Sequence, residues 1–343
     1  MHQNRDDNDL TDRKLITMRD VAIAAGVSVS TVSRILDERL PQSKSVSAER
    51  VRQVARELGY RRDYVASSLR RGDTGTIGVL VPRLTDTVTA MLYEEIAAAA
   101  ACRGYFAIVS TCGDSSEQEQ EAAEALLDRR VDGLILSTCR QDDPLPEALR
   151  NQGVPHVLAL RTDGISPSSI GDDELGGYLA TRHLIDLGHR DIGIISGPDF
   201  ASNALNRRKG FEKAMSEAKL EIRPEWSLPS GFNVQSGEES GLRLLDARSR
   251  PTAIFAVNDD IAIGVTAAAH RLGLELGKNL SLVGYNDIPL VSRLPVALTS
   301  VRTPLEHIAS NAVDMLLRPH HKAPALKTVI PSLIPRHSTS QLK

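Results

Sequence analysis

A chain of 343 residues exceeds one ordinary domain, and 41% apolar with 25% charged residues excludes disordered and fibrous classes. No apolar run approaches the ~20 residues needed to span a bilayer, and the polar opening MHQNRDDNDLTDRK has no apolar signal core. The net charge of −3 conceals an asymmetry: residues 13–75 carry thirteen Lys/Arg against seven Asp/Glu, a net +6, which leaves the remainder at −9. A basic head on an acidic body points to a polyanion-binding module, the alternative being a solvated basic face.

Residues 1–14 are expected to be a disordered tail. Thr17 then suits the N-cap of a helix, with Asp20 at its third position beside the exposed amides. Val21, Ala24 and Ala25 share one apolar stripe, and Gly26 suits the left-handed turn that ends the helix. The alternation in GVSVSTVSR would fit a half-buried strand, but both flanks carry helical spacing. Ser28 therefore caps a second helix from Val29 to about Leu36. Val32, Ile35 and Leu36 face inward there, with Val29, Ser30, Ser33 and Arg34 outward. Ser47 is expected to cap a third helix, with Val51, Val54, Ala55 and Leu58 inward and Gly59 as its stop. Two short helices around a glycine turn, with a supporting third, make a helix-turn-helix over 15–60.

The connector 61–75 holds one short helical candidate, Tyr64 to Arg70, scarcely stable alone in water. From Thr76 apolar strands such as TIGVLV, GLILS and IGIISG alternate with helical patterns. Two runs of such βαβ units predict an α/β core of two doubly wound parallel sheets. Ligands of such sheets bind beyond the carboxyl ends of the strands. Cys102, Cys112 and Cys139 show no CxxC spacing and suit a reducing cytoplasm. No GxSxG elbow, HExxH or Walker sequence appears, so catalysis is not expected and no cofactor or metal is called for. His183 and His189 suit structural roles at a helix end, and His320-His321 lies in a polar connector.

TMRDVAIAAGVSVSTVSRIL resembles the head of the lactose-repressor (LacI/GalR) family of bacterial regulators. The resemblance runs on through YRRDYVASSLRRGDTGTIGVLVP, RRVDGLILS, HLIDLGHRDIGIISGP, RPTAIFAVNDDIAIG, LSLVGYND and LTSVRTP, in the family's order. It implies a helix-turn-helix headpiece, a hinge over 61–75 and a two-lobed periplasmic-binding-protein-like core over 76–340. The first lobe would take about 76–172 and 301–318, and the second about 173–300 and 319–340. It further implies a cytoplasmic homodimer that binds a palindromic DNA operator and responds to a small-molecule effector held between the lobes.

The resemblance places Val29, Ser30 and Arg34 where relatives read base edges. Thr17, Ser28, Thr31 and Ser33 suit phosphates, which orient without specifying. Leu69, followed by Arg70, takes the place of the leucine that relatives wedge into the minor groove. In the cleft, Arg207, Phe232 and Asn258 match ligand-contacting positions. The chain also departs from the pattern. The loop DERLPQSKSV is longer than usual, and Arg62-Asp63-Tyr64 stands where Pro-Asn-Ala is usual. Asn286 and Leu160 replace cleft aspartates, and Arg83 with Thr87-Val88-Thr89 replaces an Asp and a Pro-Phe-Phe stretch. The effector implied is a sugar or sugar derivative; two lost carboxylates, with Arg83, Arg161 and Arg207 present, admit a phosphorylated or otherwise anionic one, the alternative being that Arg83 and Arg161 face solvent or form surface pairs. Rival readings are a regulator with a vestigial cleft and an exported solute receptor of the same fold.

Overall fold

The computed structural model describes residues 16–37, 41–60, 73–318 and 326–342. The chain divides into two compact units, Met1–Thr74 and Gly75–Lys343. The expected tail, the hinge residues 61–72 with Leu69 and Arg70, and His320-His321 lie outside the described residues.

In the first unit α1 spans Met18–Ala25, α2 Val29–Ile35 and α3 Val46–Glu57. Thr17 and Asp20 form a reciprocal cap: Thr17 Oγ1 accepts from Asp20 N at 3.3 Å, and Asp20 Oδ2 accepts from Thr17 N at 2.8 Å. Gly26 follows at φ 70°, where a glycine avoids the Cβ strain of the left-handed turn. Ser28 Oγ accepts from Thr31 N at 3.2 Å and starts α2. The cap of α3 is Ser45, not Ser47: Ser45 Oγ accepts from Ala48 N, and Arg52 donates to Ser43 O at 2.7 Å, fixing the approach. Both serines have a suitable spacing, and this tertiary tie selects the earlier one. Val21, Ala22, Ala25, Val32, Val51 and Ala55 form the small core, on which Ile35, Leu36 and Val54 pack. Ala24 and Leu58, expected inward, are exposed, because the stripe of α1 turns through Ala22 and α3 has ended before Leu58.

The second unit begins with β1 (Thr76–Val81), α4 (Thr87–Ala101), β2 (Phe106–Thr111), α5 (Ser116–Asp128), β3 (Leu134–Leu136), α6 (Pro144–Asn151), β4 (His156–Ala159) and β5 (Ser168–Gly171). It continues with α7 (Asp173–Asp186), β6 (Ile192–Ser196), α8 (Ser202–Glu217), β7 (Ser227–Pro229), α9 (Val234–Leu245), β8 (Ala253–Ala256), α10 (Asp259–Arg271), β9 (Ser281–Asn286) and β10 (Thr299–Arg302). It closes with α11 (Leu305–Leu317), β11 (Leu326–Val329) and β12 (Ser332–Ile334). One sheet has the order β11-β5-β4-β3-β1-β2 and the other β12-β10-β9-β8-β6-β7. Every pairing is parallel except β12 against β10. The central strands are buried on both faces, as their continuous apolar runs require.

The last lobe boundary departs from expectation. The chain leaves the first sheet after β5, and β10 still belongs to the second. Helix α11 then packs on the first core, and β11 pairs with β5, Leu326 opposite Ser168. The final crossing therefore falls near residue 330 and not near 318. Pairing with β5 gives the amides of β11 partners that a helix end at 318 does not reveal. Helices α7 and α8 touch backbone to backbone: a side chain on Gly177 would run into the Arg207 carbonyl, and one on Gly210 into that of Glu174. That contact brings Arg207 against α7.

Candidate functional site

The outward face of α2 is a candidate nucleic-acid interface. Val29 is 45% exposed, and Ser30 and Arg34 are exposed beside it. Arg34 makes no ion pair among the described residues, so its guanidinium is available for a bidentate contact. Ser28 serves first as a cap, and its Oγ also lies 2.8 Å from Thr31 Oγ1 and 2.9 Å from Ser30 Oγ. Ser33 is half-buried, and Thr17 is committed to its cap but exposed.

The candidate small-molecule site is a cleft in the second unit. Asp86, Val88, Thr89, Ser137, Leu160 and Arg161 line it from the first lobe, at the carboxyl ends of β1, β3 and β4. From the second lobe come Asn203, Arg207, Phe232, Asn258 and Asn286. Five of the six residues expected in the cleft thus converge on it. The exception is Arg83, which pairs with Asp114 on the surface and does not line the cleft. Its side chain follows the nearest carboxylate.

Arg207 lines the cleft at the position the resemblance gives it, and its guanidinium is already held by groups of the protein. Its Nε donates to Asp173 Oδ1 at 2.8 Å, and a terminal nitrogen donates to Val257 O at 2.7 Å. Its guanidinium lies 3.7 Å from the Tyr285 ring centroid. Burial pulls against its charge, but Asp173 holds the guanidinium protonated above its ordinary range. Burial in turn pushes the Asp173 carboxyl up against the pull of Arg207. The contact geometry is that of an ion pair. Arg207 also reaches Asn286 Oδ1 at 3.4 Å, and Thr303 Oγ1 donates to the same oxygen at 3.4 Å. Asn286 has φ 101° and Asp287 φ 55°, a strained turn held by Asp259, which accepts from Ile288 N at 2.8 Å and Ser300 Oγ at 2.7 Å. Burial pushes the Asp259 carboxyl up to about 7. Asn258 spends its side-chain oxygen capping α10, at 2.8 Å from Ile261 N.

Arg161 is buried and donates to Thr138 O at 3.1 Å. The Thr138 hydroxyl meanwhile donates to Glu119, whose carboxyl is pushed up to about 8, by burial first. The two lobes also touch at the mouth of the cleft. Gln141 N donates to Phe200 O at 3.1 Å, Thr162 N to Ser202 Oγ at 3.0 Å, and Arg140 lies 3.9 Å above the Phe200 ring. Asp260, in the first turn of α10, is pushed up to about 6, by burial and then by Asp86 in the other lobe.

Sequence reasoning missed Asp86, Ser137, Asn203, Asp173 and Phe200. Asp86 had a signal, being the N-cap of α4 with Oδ1 accepting from Thr89 N at 3.1 Å. The others depend on how the two sheets face each other. His183 and His189 hold the C-terminal segment: His183 bonds Thr339, and His189 bonds Ser281, Thr252 and Ser340. Among the described residues no cluster of His, Cys, Asp and Glu could hold a metal ion, and no helix is long and apolar enough to cross a membrane.

Residues 17–63 match the bacterial regulatory proteins of the lacI family, and residues 181–339 match the periplasmic binding protein-like domain. The chain is 35% identical over 314 residues to the ribose operon repressor of Haemophilus influenzae, covering 89% of this chain and 92% of that one. It is 34% identical to the HTH-type transcriptional repressor PurR of Proteus mirabilis, covering 88% and 90%. The fold matches the lac repressor dimer bound to operator and the anti-inducer ONPF, with a TM-score of 0.84, 28% identity, and coverage of 95% and 100%. A LacI family regulator from Enterococcus faecium with bound ribose matches with a TM-score of 0.69, 28% identity, and coverage of 78% and 100%.

Proposed function

The chain belongs to the LacI family of bacterial regulatory proteins, which are DNA-binding transcriptional regulators, and from that premise we propose how its own residues carry the function. The head reads DNA as one half of a homodimer, since a single small head makes too few base contacts for selectivity. Arg34 donates two hydrogen bonds to a guanine edge, Val29 meets a thymine methyl and Ser30 a neighbouring base. Ser28, Thr31, Ser33 and Thr17 approach phosphates. Leu69 and Arg70 keep the minor-groove role that the resemblance gives them. The protein acts in the cytoplasm and without catalysis.

The cleft holds the effector, and the observation that carries this reading is its construction from both lobes at strand carboxyl ends. A ligand that touches both lobes changes their relative free energy, and through them the separation of the two heads. The similarity to a ribose operon repressor and to a LacI family regulator with bound ribose supports a repressor whose effector is a small polar molecule. Fluorescence anisotropy on an operator selected from randomised palindromic DNA, at fixed salt, tests the reading. The expected result is at least about a thousandfold preference over random DNA, changed by a cleft ligand. Equal affinity for both DNAs would overturn it.

A further inference from the structure

Arg161 is the arginine of the cleft that makes no ion pair among the described residues. Arg207 is neutralised by Asp173, and Arg83 is drawn to Asp114 outside the cleft. Arg161 is only 8% exposed. One of its five N–H donors is used, on Thr138 O. Around it lie the ring faces of Phe200 and Phe232, each 5.7 Å from the guanidinium carbon. Asp114, Asp86 and Glu119 act on it only from a distance, and burial still pulls against its charge; a buried cation without a contact ion pair costs stability, and a fold retains such a cost where a ligand offsets it. Leu160, the residue before it, sits at φ 66°, a strained left-handed position at the end of β4 that turns the chain into Arg161.

The opposite lobe presents a second positive feature. Helix α8 is 16 residues long, and its N-cap Ala201 offers no side-chain acceptor. Asn203 in its first turn lines the same cleft, so the amide end of α8 borders it. Asn203 Oδ1 accepts from Ala204 N at 2.9 Å, so the amides left at this end are those of Ser202 and Asn203, and such helix-end amides favour an anion. Asp86 is the carboxylate among the lining residues, and Phe232 supplies an apolar face.

We infer that the effector is a small hydroxylated molecule bearing a phosphate or carboxylate, which Arg161 receives from one lobe and the first turn of α8 from the other. This rests on the reading of the cleft as the effector site. The anion joins the lobes by attracting both walls, Phe232 packs on the body of the ligand, and Asp86 accepts from its hydroxyl groups. A neutral sugar leaves Arg161 buried and unpaired.

The test is titration of the full chain with matched pairs, ribose against ribose 5-phosphate, glucose against glucose 6-phosphate and galactose against galacturonate. Calorimetry and operator anisotropy are read in parallel. At least one anionic member should bind about tenfold or more tighter than its neutral parent, as a charge-assisted hydrogen bond requires. Arg161→Met should remove that preference and, without ligand, melt no lower than the parent chain. A melting point lowered in Arg161→Met while the charge preference persists makes Arg161 structural and overturns the inference. Neutral sugars that bind and shift operator affinity while their anionic partners do not overturn it too, and leave the effector reading standing. If no member of any pair changes operator affinity, the effector reading falls and the inference with it.

Discussion

Arg207 on α8 and Asp173 on α7 form a 2.8 Å ion pair with side chains only 3% and 4% exposed. Truncating one partner leaves the other charge buried alone. Arg207→Ala should therefore lose about 3–5 kcal/mol of stability in urea unfolding. Combining Arg207→Met with Asp173→Asn should recover most of that loss. A single variant that loses less than about 1 kcal/mol, the level of a surface pair, would show that the pair does not brace this wall of the cleft.

Arg34 points away from the core of the head and has no ion-pair partner among the described residues. Arg34→Ala should cost about 1–3 kcal/mol on the selected operator and much less on random DNA. Equal losses on both would assign Arg34 to phosphate.

Ser28 caps α2, and the proposed function gives it a second, separable duty at a phosphate. Ser28→Ala should lower the stability of the head by about 1 kcal/mol. Ser28→Asp keeps a cap acceptor, so stability should hold while DNA affinity falls from charge repulsion. Circular-dichroism melts alongside anisotropy separate the two, and an aspartate variant that binds DNA normally removes Ser28 from the phosphate contacts.

Glu119 is 3% exposed, and its carboxyl is pushed up to about 8 from an ordinary 4.5, chiefly by burial. The folded state thus holds the proton more tightly than the unfolded one. The stabilisation is complete below about pH 4.5 and is lost as pH rises through about 8. Asp259, at about 7, acts with the same sign. Together they should lower stability by about 2–4 kcal/mol between pH 6 and pH 8. Glu119→Gln can still accept from Thr138 and should flatten that slope. Urea midpoints at the two pH values check it, and an unchanged slope in the variant would assign the dependence to other groups.

The head was legible in the sequence because its signals are local. A cap lies three residues from the amide it serves, and a glycine at φ 70° determines its turn without outside help. The cap of α3 slipped from Ser47 to Ser45 because Arg52 and Ser43, nine residues apart, decide it. The alternation of apolar strands with helices likewise determined two parallel sheets, and the ordered motifs determined the family.

Charge pairing was not legible, since it depends on distances between residues far apart in the chain. Arg83, Arg161 and Arg207 look equivalent as letters. The fold sends Arg83 to Asp114, locks Arg207 onto Asp173, 34 positions away, and leaves Arg161 buried with a carbonyl and two rings. The last lobe crossing was hidden for the same reason, because β11 is placed by its pairing with β5, more than 150 positions earlier. The sequence determined which elements form and what family they build. The tertiary structure decided which of these cations is paired with a carboxylate, because only packing determines which carboxylate each one reaches.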